Sequence, residues 1–284
     1  LTRDVNEELE MARTIQEALM PRRLPESVNL KTGAMCIPAG KVGGDFYDII
    51  LTPFQKVAIL IFDVSGHGIP AALIGAMAKM LFSHYIEKLE SPAEIFTQVN
   101  NRLCKFVKSE HYLTAFLGIV NPVENSMVYS KAGHVPPVLL DATTGRTRLL
   151  DSRGFFIGHA ALLDIVQYTD ERIDLNPHDT LFFYTDGLTE GHNPLGELYG
   201  AQRLLTAIER ERARPVGSLL RAILDDQTRF CNGVALRDDV TLVGIEMGDS
   251  ALLFKESGFN ASDRPGVLMA NEYEMIEPLA ATVL

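Results

Sequence analysis

The sequence predicts an α+β fold in which two mainly antiparallel β-sheets are covered by helices. Two observations lead there. The apolar period changes along the chain: short strands, two consecutive amphipathic helices, a run of strands, two more helices, and one last strand. Within the strand run, YLTAFLGIV, SMVYSKA, PPVLLD and RTRLL are separated by turn-like NPVEN, GHVP and ATTG, the pattern of a meander. No regular β-α-β alternation occurs, which argues against a doubly wound parallel sheet.

The elements follow in order. Residues 1–25 read as a helical leader. Val5, Leu9, Ala12, Ile15 and Leu19 recur every three or four residues, close to a heptad, and Pro21 and Pro25 end the pattern. Two readings stand side by side: a coiled-coil connector from an upstream regulatory domain, or a helix lying on its own domain. Residues 26–247 form the main domain. Residues 29–37 and 46–51 are short strands, and KVAILIFDV is a central strand, apolar on both faces up to Asp63. A helix is expected over 70–89, with Pro70 in its first turn and Met77, Met80 and Leu81 as ordinary core. Ser91, Pro92 and Glu94 signal the next helix, whose inner face is Ile95, Phe96, Val99, Leu103 and Phe106. After the meander, IGHAALLDIVQYTDERIDL adds one or two strands and DTLFFYTDG another. Helices over 201–212 and 217–230 follow, and VTLVGIEM closes the domain. Residues 248–284 are a C-terminal extension to which the sequence assigns no role.

Composition narrows the function. A chain of 284 residues, 46% hydrophobic and 22% charged, can bury one sizeable core. No 18-residue apolar run is evident, so no transmembrane helix is expected, and the first residues are not a signal peptide. The chain begins without Met, as a fragment or processed product would. A formal charge of -11 argues against nucleic-acid binding. Cys36, Cys104 and Cys231 are too dispersed for metal or redox spacing and read as reduced thiols, which suits the cytoplasm.

The chemistry lies in carboxylates at strand ends. Asp63 stands where the most apolar strand gives out, ahead of Val64-Ser65-Gly66-His67-Gly68. Asp45 follows Gly43-Gly44, Asp186 follows LFFYT, and Asp238 and Asp239 precede VTLVGI. Each alone can be a turn residue. As a set they suit a hard divalent ion, Mg²⁺ or Mn²⁺, which takes oxygen ligands; zinc would recruit Cys or His. A pair of such ions can acidify a water and stabilise phosphoryl transfer without a nucleophilic Ser or Cys.

The chain resembles the metal-dependent protein phosphatase superfamily (PP2C-like), and within it the bacterial SpoIIE/RsbU-type serine/threonine phosphatases. The resemblance rests on EMARTIQEALMPRRLP, GGDFYD, FDVSGHG, KAGHVPP, YTDGLTE and RDDVTLV, in this order, over about residues 8–247. It implies a β-sandwich with helices on both faces. It implies hydrolysis of phosphoserine or phosphothreonine by a metal-activated water, with two Mn²⁺ or Mg²⁺ ions. Asp63 would bridge both ions, with the Val64 backbone carbonyl as a further ligand. Asp186 and Asp238 would complete the first ion's shell, and Asp45 would serve the second ion directly or through water. Asp239, His67, Thr185 and Gly66 would stand behind the ligands. The implied substrate is a phosphorylated STAS-domain anti-sigma-factor antagonist in a partner-switching pathway. A sensor or receiver domain upstream, and a homodimer through the N-terminal helix, are implied as partners. The alternative is a weak or inactive module of the same fold that acts by protein binding; loss of a metal aspartate would mark it, and none is lost.

Other residues admit two readings. His67 could orient water or touch phosphate, or hydrogen-bond its turn. His134, in AGHVPP, is expected to shape the site rim rather than bind metal. Asp48 shares a strand face with Phe46, opposite to Asp45, and reads as structural. Thr185 and Thr241 are expected to hydrogen-bond the aspartates. Arg22, Arg23 and Lys41 could offer charge to phosphate but read more simply as surface. His84, His111, His159, His178 and His192 show no convergent spacing.

Overall fold

A computed structural model describes residues 2–21, 30–107, 111–159 and 165–248. The C-terminal extension beyond Gly248, and Arg22 and Arg23, lie outside the described residues. Two five-stranded sheets face each other. The first has the order β1-β10-β9-β6-β7, from β1 (Leu30–Ile37), β10 (Val240–Met247), β9 (Thr180–Tyr184), β6 (Val138–Leu140) and β7 (Thr147–Leu149). The second has the order β2-β3-β4-β5-β8, from β2 (Asp45–Leu51), β3 (Val57–Val64), β4 (Leu113–Asn121), β5 (Ser126–Ala132) and β8 (Glu171–Asp174). Every pairing between these strands is antiparallel. Helices α2 (Ile69–Ile86) and α3 (Pro92–Phe106) cover the second sheet; α5 (Gly200–Arg210) and α6 (Val216–Cys231) cover the first. This is the α-β-β-α sandwich.

Alternation along the strands builds three apolar layers. On β3, Ile59 and Ile61 face the other sheet and share a layer with Phe116 of neighbouring β4 and with Phe183 and Val243 of the facing sheet. Leu60 and Phe62 face the helices, where they meet Phe82, Ile95 and Phe96. A third layer joins Phe182 and Leu242 to Leu204 and Leu220. All the named side chains are fully buried. A strand buried on both faces needs to be apolar at every position, as β3 is until Asp63.

Helix α3 begins as the sequence signalled. Ser91 Oγ accepts from Glu94 N at 3.1 Å, and Asp170 braces the same turn by accepting from Ser91 Oγ and Ala93 N. Phe106, at the helix end, is exposed rather than on the inner face. Helix α2 differs more from expectation. Its buried face is Ala71, Gly75, Ala78, Lys79, Phe82 and Ile86, while Met77 and Met80 point outward. Small residues let the helix sit close to the sheet: a Cβ on Gly75 would lie 2.1 Å from Phe46 Cε2. One turn on, Lys79 forms a buried ion pair with Asp48, so Phe46 and Asp48, on one face of β2, both engage α2. By length and hydropathy alone Ile69–Ile86 would suffice to cross a membrane; here it is a layer of the sandwich, packed on α3 and the second sheet.

Helix α1 (Thr2–Leu19) packs on α2, with Leu19 and Met20 against the core, while Met11 and Ile15 are exposed. The side chain of Val5 lies outside the described residues. The sequence did not foresee α4 (Asp186–Glu190), a single turn after β9.

Candidate metal centre

The acidic strand ends meet at one edge of the sandwich. Asp45 opens β2 and Asp63 lies near the end of β3, directly across from it in the antiparallel register. The two glycines before Asp45 bring the chain against both sheets. A Cβ on Gly44 would lie 2.7 Å from the Val64 carbonyl oxygen and 3.1 Å from Asp63 Oδ1; one on Gly43 would lie 2.0 Å from Asp239 Oδ2. No larger residue fits at either position without displacing these oxygens. From the other sheet, Asp186 starts α4 immediately past β9, and Asp238 and Asp239 precede β10.

Each carboxylate has a distinct setting. Asp45 is buried and accepts from Thr185 Oγ1 at 2.7 Å, a bond from one sheet to the other. Burial pushes its pKa well above the ordinary carboxylate value, and Asp63 and Asp239 add repulsion; the Thr185 and Thr241 hydroxyls pull the other way. Asp63 is pushed up to about 7, first by desolvation, then by the charges of Asp186, Asp238, Asp239 and Glu190. Asp186 is raised by desolvation and by Glu190. Asp238, on the exposed rim, is raised by partial desolvation, while the Asp239 N–H and His67 oppose. Asp239 is committed to the backbone: Oδ1 accepts from Ala39 N at 2.8 Å and Oδ2 from Gly44 N at 2.7 Å. It fixes the loop that carries Asp45.

The remaining residues sort by contact. Gly66 turns with φ +92° against His111, whose Nδ1 lies 2.8 Å from the Ser65 carbonyl oxygen. His67 is exposed beside Asp238. Thr241 Oγ1 donates to Cys36 Sγ at 3.3 Å, and its N–H donates to Thr185 Oγ1. Lys41 pairs with Glu10 of α1. His84, His159, His178 and His192 form no cluster with one another at this edge. Sequence reasoning missed Glu190, although it lies four residues past Asp186, one helical turn away. It also missed Gln16, whose side-chain amide reaches Gly43 from α1.

Desolvation first, and repulsion from neighbouring carboxylates second, raises Asp45 and Asp63, so ionising this set together favours a bound cation. An all-oxygen donor set of this kind fits Mn²⁺ or Mg²⁺. Among the described residues, no three His, Cys, Asp or Glu side chains converge closely enough to form a finished cage.

Comparison with known proteins agrees with this architecture. Residues 53–248 match the family model described as stage II sporulation protein E (SpoIIE). The phosphoserine phosphatase RsbU of Bacillus subtilis is 26% identical over 243 residues, covering 86% of this chain and 71% of RsbU. Protein IcfG of Synechocystis is 25% identical over 84% of the chain, which spans only 41% of IcfG. The SiaA-PP2C domain of Pseudomonas aeruginosa superposes with a TM-score of 0.76 at 22% identity, covering 86% of this chain and 98% of that domain. The chain therefore belongs to the SpoIIE family, a branch of the PP2C-like metal-dependent serine/threonine phosphatases.

Proposed function

We propose that this phosphatase acts on a phosphorylated STAS-domain antagonist of an anti-sigma factor, in the cytoplasm, as one step of a partner-switching pathway. The observation that carries the catalytic reading is Asp45 facing Asp63 across β2 and β3, with Asp186 and Asp238 near enough to raise Asp63. The substrate reading draws its support from similarity to RsbU, a phosphoserine phosphatase. Residues 26–247 would be the phosphatase domain, residues 1–25 its leader from an upstream sensor or receiver, and residues 248–284 an extension.

In this reading Asp63, the Val64 carbonyl, Asp45, Asp186 and Asp238 would hold the two ions, with Asp63 shared between them. When bound, such ions lower the pKa of water and offset charge on phosphoryl oxygens. The protein's own part is to keep these carboxylates ionised and in place. Asp239 holds the Gly43-Gly44 loop, Thr185 orients Asp45, Gly66 turns the chain past Asp63, and His67 stands exposed beside Asp238. Free Cys36, Cys104 and Cys231 suit a reducing compartment.

A phosphate-release assay on phosphorylated STAS-domain proteins, with Mn²⁺, Mg²⁺ or chelator, tests the proposal. Metal-dependent release from phosphoserine or phosphothreonine is expected. Activity on small phosphoesters with none on any phospho-STAS protein would overturn the substrate assignment. Undiminished activity in chelator would overturn the metal site.

A further inference from the structure

We infer that His134 is a positioning residue that clamps the two sheets together behind the metal centre. The inference rests on the metal-site reading above and concerns a side chain that touches none of the proposed ligands. The chain leaves the second sheet at Ala132, the end of β5, and enters the first at Val138, the start of β6. His134 lies on this crossover, buried at 3% exposure. Its two ring nitrogens bond to different sheets. Nδ1 lies 2.8 Å from Thr114 Oγ1 on β4, and Nε2 lies 3.1 Å from the Tyr184 carbonyl oxygen on β9.

The partners assign the tautomer. A carbonyl oxygen can only accept, so Nε2 carries the proton; Nδ1 is then the acceptor, and Thr114 Oγ1 donates. Burial holds the ring neutral, pushing its pKa down to about 4, so this arrangement persists at working pH. Both contacts lie one short step from proposed ligands. Thr114 is the cross-strand partner of Asp63, and Tyr184 precedes Thr185 and Asp186. The ring thus spans the gap between the sheet bearing Asp63 and the sheet bearing Asp186. The crossover itself is tightly held. Gly133 N donates to the Gly154 carbonyl oxygen at 2.9 Å, Gly133 bridges to Ala115, and its φ of +68° disfavours any side chain there.

The test uses the full chain and reads Mn²⁺ binding by calorimetry alongside turnover, so it does not depend on which phosphoprotein is the substrate. His134→Ala should weaken Mn²⁺ binding and lower kcat by tenfold or more in folded protein. Thr114→Val, which leaves the imidazole and its turn in place, should weaken Mn²⁺ binding in the same direction. The double variant should be little worse than His134→Ala, because both changes remove one linkage. His134→Gln keeps a donor for the Tyr184 carbonyl and should recover much of the loss. A merely structural histidine would lower Tm while leaving Mn²⁺ affinity unchanged. Folded His134→Ala that binds Mn²⁺ within twofold of wild type would overturn the inference. If His134→Ala fails to fold, Thr114→Val decides: wild-type Mn²⁺ affinity there is equally fatal. Wild-type protein that binds no Mn²⁺ would overturn the metal-site reading first, and this inference with it.

Discussion

Gln16 and Gly43 exchange two hydrogen bonds: Gln16 Nε2 donates to the Gly43 carbonyl oxygen at 2.8 Å, and Gly43 N donates to Gln16 Oε1 at 3.1 Å. One side-chain amide thus pairs with the backbone of one glycine, as a neighbouring strand would. Gly43 abuts Asp239, and Asp239 holds Gly44, which precedes Asp45. The leader helix is therefore connected to the acidic edge by specific bonds.

Gln16→Ala should release that connection. The expected stability loss is about 1 kcal/mol, the usual net worth of such hydrogen bonds. Turnover or its Mn²⁺ requirement should change several-fold, because the loop carrying Asp45 loses a fixed anchor. Thermal melts and metal titrations on the same samples check this; an unchanged Mn²⁺ requirement would show that α1 does not communicate through Gly43.

Asp63 should set a trade-off between stability and activity. Its folded pKa, about 7, lies above the ordinary carboxylate value, so metal-free protein gains stability from its protonation at low pH. That contribution is fully present below about pH 4 and is lost as pH rises through about 7. In chelator, Tm should carry this falling component between those limits, and Mn²⁺ should offset it. Asp63→Asn should remove the component and raise metal-free Tm at pH 8, while leaving less than about a tenth of wild-type turnover at saturating Mn²⁺. A variant with substantial turnover would rule out Asp63 as the bridging ligand.

Much of the fold is legible because its signals are local. The two-faced apolarity of β3, the cap at Ser91 and the turns from β4 to β5 and from β6 to β7 each lie within a few consecutive residues; the GHVP segment between β5 and β6, expected as a meander turn, is instead a crossover from one sheet to the other. The seating of α2 is not local. That helix is apolar nearly all round, so hydropathy does not choose its face; size does, with Ala71, Gly75 and Ala78 turned inward and Met77 and Met80 outward. The single turn of α4 is too short to show a helical period. At the acidic edge, strand-end positions mark Asp45, Asp63, Asp186 and Asp238, and the resemblance assigns them roles. The links that hold these residues join distant segments: Gln16 to Gly43, Asp239 to Gly44, and His134 to Tyr184. No spacing in one sequence announces such pairs.

Asp186 and Asp238 should behave as parts of one site. Each Asn substitution should lower turnover by more than about tenfold or raise the metal requirement, and the double variant should fall well short of additivity. Calorimetric Mn²⁺ titrations separate affinity from turnover. Two single variants that bind Mn²⁺ as wild type does would contradict a shared site.

The Lys79–Asp48 pair should matter for stability because both partners are buried. Removing one leaves the other charge without compensation, at a cost of about 3–5 kcal/mol. Asp48→Ala should therefore be severely destabilising, whereas Asp48→Leu combined with Lys79→Met should recover much of the loss. Denaturant unfolding measures both; a mild effect of Asp48→Ala would mean that the pair contributes little to holding α2 on β2.

The leader helix offers a last test, because its two faces have different surroundings. Leu19 packs against the core, whereas Met11 and Ile15 are exposed. If the exposed face pairs with a second copy of the chain, Ile15→Glu should weaken self-association and leave the melting temperature of the monomer unchanged. Leu19→Glu should instead lower that temperature whatever the oligomeric state, since it buries a charge beside the core. Sedimentation across a concentration series, with melts on the same samples, distinguishes the two effects. Wild-type protein that stays monomeric throughout the series would refute pairing by this chain alone, and would leave α1 as a helix whose contacts are with α2 and the Gly43 loop.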